Sequence, residues 1–278
     1  MSRQVALFMT AVQFLTRLPT PQFKTYEPAW LARSARYFPL VGVLVGVVNV
    51  AVWWVASRRL PTAVAVGLTL ALSVLVTGGL HEDGFADVCD GFGGGATRDR
   101  VLAIMKDSRI GAYGAIGLVL MLGLKWATLD SLSLGTAVFA PLVIGAHLMS
   151  RWCAGALMWS LPYVRGGADS KSRAVVEGFT AREWLIGGLI GLAALAPITA
   201  ACLHESGVLE AWALAAGSAA AAATAWAAGG YFRRRIGGHT GDCLGAVQQL
   251  TELAFLIGGL AVIHPASDRM REIAWRSI

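Results

Sequence analysis

The chain has 278 residues, of which 56% are hydrophobic and only 14% charged, and its formal net charge is +6. Soluble globular proteins carry about 25% charged residues, so this chain has too few charges to coat a water-facing surface of its size, and lipid must cover much of it. The positive balance then reads as the Lys and Arg excess that holds the cytoplasmic loops of membrane proteins in place, which excludes nucleic acid as the expected partner.

The first hydrophobic stretch, Val5–Leu15, is short, carries Gln13, and runs into Arg17 and Pro19 without a small-residue cleavage site. It predicts a retained interfacial or re-entrant helix rather than a signal peptide. Membrane segments follow at 37–56, 61–80, 111–129, 134–149, 184–203, 207–228 and, shorter, 250–264. The uncharged runs 37–56 and 61–80 each have about the 20 residues that a helix needs to cross roughly 30 Å of hydrocarbon. Barrel strands would be half as long and would alternate polar with apolar residues. The expected fold is therefore all-α: a polytopic integral membrane protein with about six or seven transmembrane helices plus short interfacial or re-entrant helices. It is expected to form a single membrane-embedded catalytic domain over residues 1–278.

The gaps at 57–60, 130–133 and 204–206 are tight and make neighbouring segments antiparallel hairpins. Alternation then puts the longer gaps 19–36, 81–110, 150–183 and 229–249 on one side. Those four hold fifteen Lys and Arg, against five on the other side: Arg58, Arg59, Arg269, Arg271 and Arg276. The positive-inside rule makes the long loops cytoplasmic. The three arginines of the C-terminal tail fit this poorly, so 250–264 is read as a span or as a re-entrant or tilted helix. Cys89, Cys153, Cys202 and Cys243 show neither the spacing of a zinc site nor that of a disulfide framework.

Chemistry concentrates in two loops. Residues 81–110 hold six of the seventeen acids, densest in His81-Glu82-Asp83-Gly84-Phe85-Ala86-Asp87-Val88-Cys89-Asp90. Asp83, Asp87 and Asp90 fall at i, i+4 and i+7 and would stack on one helical face. No Lys or Arg is interleaved between Leu80 and Thr97. A solvated acidic cap is the bland alternative. The uncompensated repulsion points instead to a hard divalent cation such as Mg²⁺, with Glu82 and Asp242 as further carboxylates for it. Gly93 and Gly94 belong to a run that would either let backbone amides approach a phosphate or serve as a flexible connector. Thr97–Arg109 predicts a short amphipathic helix on the membrane surface, N-capped by Thr97. It ends in Lys106, Ser108 and Arg109, a candidate phosphate grip, or otherwise residues snorkelling to the interface. Lys125 lies inside a membrane segment, where it either meets an anionic partner in a functional site or snorkels to the far interface. His147, inside 134–149, reads as a packed, hydrogen-bonded side chain. In the second loop, Gly237-Gly238-His239-Thr240-Gly241-Asp242 offers a carboxylate and a hydroxyl, Asp242 and Thr240. Arg233–Arg235 upstream reads as a positive-inside anchor.

Five segments carry a family resemblance: Phe14–Pro19, Phe38–Gly46, Gly78–Gly91, Ile104–Gly111 and Gly237–Ala246. In this order, over nearly the whole chain, they resemble the cobalamin synthase (adenosylcobinamide-GDP ribazoletransferase) family. The resemblance implies a Mg²⁺-dependent enzyme of the bacterial inner membrane with its active site facing the cytoplasm. Its expected substrates are adenosylcobinamide-GDP and α-ribazole or α-ribazole 5′-phosphate, its expected by-product GMP. Asp83, Asp87, Asp90 and Asp242 would hold the metal, and one of these aspartates or His81 would take the hydroxyl proton. The bilayer is an expected partner, and a homo-oligomer is left open. Two rival readings call for other patterns. A CDP-alcohol phosphotransferase would show Arg where Asp87 stands, followed by a further Gly/Asp element that is missing here. A cation transporter would carry its acids at mid-membrane depth.

Overall fold

The computed structural model describes residues 2–21, 29–164, 175–176, 178–206 and 208–276. Helix α1 (Arg3–Leu15) starts where the Ser2 hydroxyl accepts the Val5 N–H and ends where Thr16 turns its hydroxyl back onto the Val12 carbonyl. Its 13 residues are too few to cross a bilayer. It buries Leu7, Val12 and Leu15, and Phe14 stacks on Phe38 at 5.6 Å. A short helix α2 (Ala29–Ser34) and a 3₁₀ turn lead into α3 (Phe38–Ala56), and together they form a candidate span, Trp30–Ala56.

Helix α4 (Thr62–Thr77) stops at Gly78 and Gly79, which take φ of +67° and +68°. Two successive left-handed residues are costly for anything but glycine. They turn the chain through 90° into α5 (Leu80–Gly94). The expected span 61–80 is thus a 16-residue helix followed by a sharp corner. Next comes α6 (Arg98–Ile104), capped by Thr97, whose hydroxyl accepts the Arg100 N–H at 3.3 Å. Its apolar residues Val101 and Met105 are buried in the protein core. This corrects the expectation of a helix resting on lipid: the end of α5 packs against Val101 and Met105.

Four long helices complete the fold: α7 (Ala112–Leu132), α8 (Thr136–Ser160), α9 (Ala181–Ser206) and α10 (Val208–Ile236). The last helix is α11 (Gly241–Arg276). Among the described residues, six helices are long and apolar enough to cross a membrane, seven if α4 and α5 count as one bent span. The segment expected at 250–264 begins earlier, at Gly241, and its stretch Gly241–His264 meets the requirements of a span. Likewise α8 runs past 149 to Ser160, which puts Arg151 inside a helix. Cys89, Cys153 and Cys243 are free thiols.

Helices α8 and α11 form the centre. In the most apolar 18 residues of each, 78% and 61% are buried, against 17% for α9. The outward faces of α7 and α9 expose Val119, Leu120, Leu185 and Leu189, as lipid-facing surfaces do. Helix α3 reaches α8 through a small-xxx-small step: a Cβ at Gly42 would strike the His147 carbonyl, and one at Gly46 would lie 2.7 Å from the Ile144 Cα.

Candidate active site

The corner at Gly78–Gly79 lays α5 across the end of α4, and the three stacked aspartates then meet three different surroundings. Asp83 is exposed, Asp87 half-buried and Asp90 buried. The Asp90 carboxylate accepts the Gly111 N–H at 2.7 Å and the Gly114 N–H at 2.8 Å. It therefore caps the N-terminus of α7 from a neighbouring helix, where the helix leaves N–H groups unsatisfied. Asp83 and Asp87 face an open cleft of about 560 Å³, together with Glu82, Ser108 and Arg17. One Glu82 oxygen accepts from the Gln249 amide at 2.8 Å. The other is buried without a hydrogen-bond partner among the described residues.

Arg17 was not a candidate from sequence reasoning. Its backbone N–H donates to the Val76 carbonyl at 2.7 Å, and its side chain lies against Gly78, where any Cβ would collide with it. The only signal for it was its place in the Phe14–Pro19 segment.

The second motif arrives from α11. Thr240 is buried, and its hydroxyl accepts the Cys243 N–H at 3.3 Å as the N-cap of that helix. The hydroxyl offered by the second motif is thus enclosed and engaged in the cap. Asp242 follows in the first helical turn. A Cβ at Gly84 would lie 3.0 Å from the Asp242 Cα, and one at Gly245 would lie 3.2 Å from the His81 carbonyl. These two glycines let α5 and α11 cross backbone against backbone, so two motifs some 150 residues apart in the chain come together. Behind the crossing lies an inner cavity of about 120 Å³, bordered by His81, Asp83, Arg151, Asp242 and Gln248. Asp83 borders both spaces. His81 is buried, with Nδ1 unpartnered among the described residues. His239 is enclosed against the Tyr163 ring at 5.6 Å; burial pushes its pKa down, and its contact with the Thr240 carbonyl only partly opposes this.

The remaining candidates separate. Ser108 lines the cleft, and Lys106 is exposed beside it. Arg109 is exposed and paired with Asp107 at 2.6 Å, which holds the Asp107 carboxyl down to about 2. Gly93 and Gly94 form the last turn of α5, not a loop. Their amides therefore donate within the helix, and a helix C-terminus presents carbonyls, so the phosphate-cradle expectation is corrected. Gly93 instead makes room for the Tyr113 ring. Lys125 does not snorkel. It is buried, 2.9 Å from Glu252 and 2.6 Å from Gln249. Glu252 also receives Arg151 at 3.1 Å, His147 Nδ1 at 3.1 Å and the Gln248 amide at 2.5 Å. Asn49 Nδ2 lies 2.7 Å from His147 Nε2, and Arg151 Nη1 lies 2.9 Å from His147 Nδ1, which ties the ring into the same network. Gln249 links this network to Glu82 at the cleft. Sequence reasoning missed Arg151 and Glu252 because it placed the former in a loop and the latter in a short final segment.

Among the described residues no three His, Cys, Asp or Glu side chains converge on one point. Mg²⁺ does not need three: it commonly takes one or two carboxylates, with waters and substrate phosphates completing the shell. Asp83 and Asp87, one turn apart on the same cleft, with the unpartnered Glu82 oxygen near them, fit that requirement.

Fold and site together define a multi-pass helical membrane protein with a carboxylate-lined cleft at one membrane face. The profile of the cobalamin-5-phosphate synthase family matches residues 7–261, and the chain belongs to that family. It is 44% identical over 260 residues to the adenosylcobinamide-GDP ribazoletransferase of Leptothrix cholodnii, covering 93% of this chain and 96% of that one. Proteins of the same name from Shewanella frigidimarina and Ralstonia pickettii are 39% and 41% identical, covering 94% and 91% of this chain and 96% and 94% of theirs. No solved structure matches. Neither the CDP-alcohol phosphotransferase reading nor the transporter reading finds support.

Proposed function

We propose that the protein is a membrane transferase that joins adenosylcobinamide-GDP to a ribose hydroxyl of α-ribazole, or of α-ribazole 5′-phosphate, and releases GMP. The names of its relatives support the substrates. The observation that carries the reading is the cleft in which Asp83 and Asp87 face Arg17 and Ser108, with Asp242 bordering the inner cavity that Asp83 also lines.

In this reading the ribose oxygen attacks the phosphorus nearer the cobinamide, and the bridging P–O bond breaks to leave GMP. Asp83 and Asp87, with Glu82 and Asp242 near them, would hold Mg²⁺, which supplies neutralisation of the charge growing on the leaving phosphate. Arg17 holds phosphate oxygens at the floor of the cleft. Ser108 donates a hydrogen bond at its rim, and Lys106 and Arg109 steer the nucleotide phosphates, Arg109 exchanging Asp107 for substrate. His81 Nδ1 or one of the aspartates accepts the hydroxyl proton. A cleft at the membrane face suits a bulky amphipathic corrinoid, and the Lys and Arg asymmetry supports the cytoplasmic face of a bacterial inner membrane.

The test is direct. Purified protein given both substrates and Mg²⁺ should form GMP and corrinoid product in equal amounts, and chelation should stop it. GMP formation that does not require ribazole would make the protein a hydrolase instead. Single cysteines at Ser108 and Gly237 on a Cys-free background should both react only from the cytoplasm. Labelling of either from the periplasm would overturn the orientation.

A further inference from the structure

Helices α8, α9 and α10 do not close on one another: α9 packs on α8 and barely meets α10. The gap is a groove of about 720 Å³. One wall is a stacked pair, Trp152 and Trp184, with ring centroids 4.9 Å apart. Each indole N–H donates to the other residue's carbonyl, at 3.2 and 3.0 Å, so the rings offer a wholly apolar surface. The other wall is α10 from Ala222 to Arg234. That is about 18 Å of helix, close to the depth of one hydrocarbon leaflet, about 15 Å. A second apolar space of about 490 Å³ continues the groove deeper, with Met149 bordering both.

Charge sits at one end only. Arg233 and Arg234 line the mouth, and among the described residues no carboxylate lines the groove. The three consecutive arginines divide their work. Arg235 donates to the Gly95 carbonyl at 2.7 Å and lies over the Phe92 and Tyr231 rings. Arg233 and Arg234 are exposed and have no ion-pair partner among the described residues.

We propose that this groove is a binding site for an anionic phospholipid of the leaflet that meets the Arg233 end, with an acyl chain along Trp152, Trp184 and Ala222 and the headgroup phosphate between Arg233 and Arg234. A basic mouth over an apolar intramembrane groove is the arrangement that recognises anionic headgroups. The inference needs only the membrane fold and is independent of the proposed reaction.

Native mass spectrometry of the detergent-purified full chain, titrated with phosphatidylglycerol and with phosphatidylcholine, tests it. Two basic contacts should make phosphatidylglycerol bind about 30-fold more tightly than phosphatidylcholine. The Arg233→Gln/Arg234→Gln variant should lose that preference and keep phosphatidylcholine binding. Ala222→Trp, which fills the groove from an exposed position, should weaken both lipids without shifting the thermal midpoint. Equal binding of the two lipids, or a preference that survives the double arginine change, overturns the site. If Ala222→Trp dissociates a dimer and leaves lipid binding intact, the groove belongs to a second copy. If the arginine variant raises the KM for ribazole and leaves lipid binding intact, it belongs to the substrate. Either result overturns the proposal.

Discussion

Three aspartates at regular helical spacing look equivalent in the sequence, yet their surroundings divide them. Asp83→Asn and Asp87→Asn, which face the cleft, should each lower turnover by about 100-fold or more, the scale of losing one electrostatic element of a site. Their thermal midpoints should not fall, since like-charge repulsion is relieved. Asp90→Ala should instead lower yield and thermal stability, because it deletes two charge-assisted bonds to Gly111 and Gly114, each worth about 1.5–3 kcal/mol. Circular dichroism melts beside GMP assays separate the two outcomes. The spacing made the shared helix and its stacked face legible; it carried nothing about Gly111 and Gly114, which come from another element. His239 gives a pH signature. Burial against Tyr163 lowers its pKa below the ordinary 6.5. The neutral ring therefore contributes stability above that value, and the contribution is lost as pH falls towards the lowered pKa. The thermal midpoint should drop between pH 7.5 and 5, and His239→Asn should flatten that slope. An unchanged slope in the variant would assign the effect to another group.

At the scale of elements, the crossing of α5 and α11 brings the two polar motifs together. Gly84 and Gly245 permit it, and both lie in segments singled out for their polar residues, with no sign in the sequence that their glycines face each other. If Asp87 and Asp242 serve one centre, Asp87→Asn/Asp242→Asn should be little slower than the poorer single variant, because residues acting as a unit are strongly non-additive. Asp242→Asn alone should also raise the Mg²⁺ concentration needed for half-maximal activity. A fully multiplicative loss with unchanged Mg²⁺ dependence would remove Asp242 from the site. The corner at Gly78–Gly79 was equally hidden. A hydropathy run sees an apolar segment ending at Leu80, while the left-handed backbone of the two glycines ends the helix at Thr77.

Across the whole molecule, Glu252 is a point where α11 meets both α7 and α8 in polar contact. Its carboxylate answers Lys125 and Arg151 and receives His147, and Gln249 carries the connection on to Glu82. Removing one partner of a buried ion pair leaves an uncompensated charge, at a cost of about 3–5 kcal/mol. Glu252→Gln should therefore lower the thermal midpoint in detergent far more than Asp83→Asn does, and activity should fall with the folded fraction. A variant with a wild-type midpoint would show that the network is not what joins these helices.

Helix formation, membrane residence and the grouping of acids were already decided by composition and run length, because those follow from local propensity and from the cost of exposing apolar surface or of putting charge in lipid. The family was legible too, in motifs that are short and contiguous. What only the packed structure decided is which polar groups meet. Asp90 turned to the amides of α7, Lys125 to Glu252 and Thr240 to its own helix cap, while Arg17 came to the cleft from just beyond the end of α1. Each of these outcomes depends on partners at least two residues and up to more than a hundred residues distant, and on glycines that let backbones touch. Periodicity along one segment reports which face a side chain takes, but not what stands opposite that face once the helices have packed.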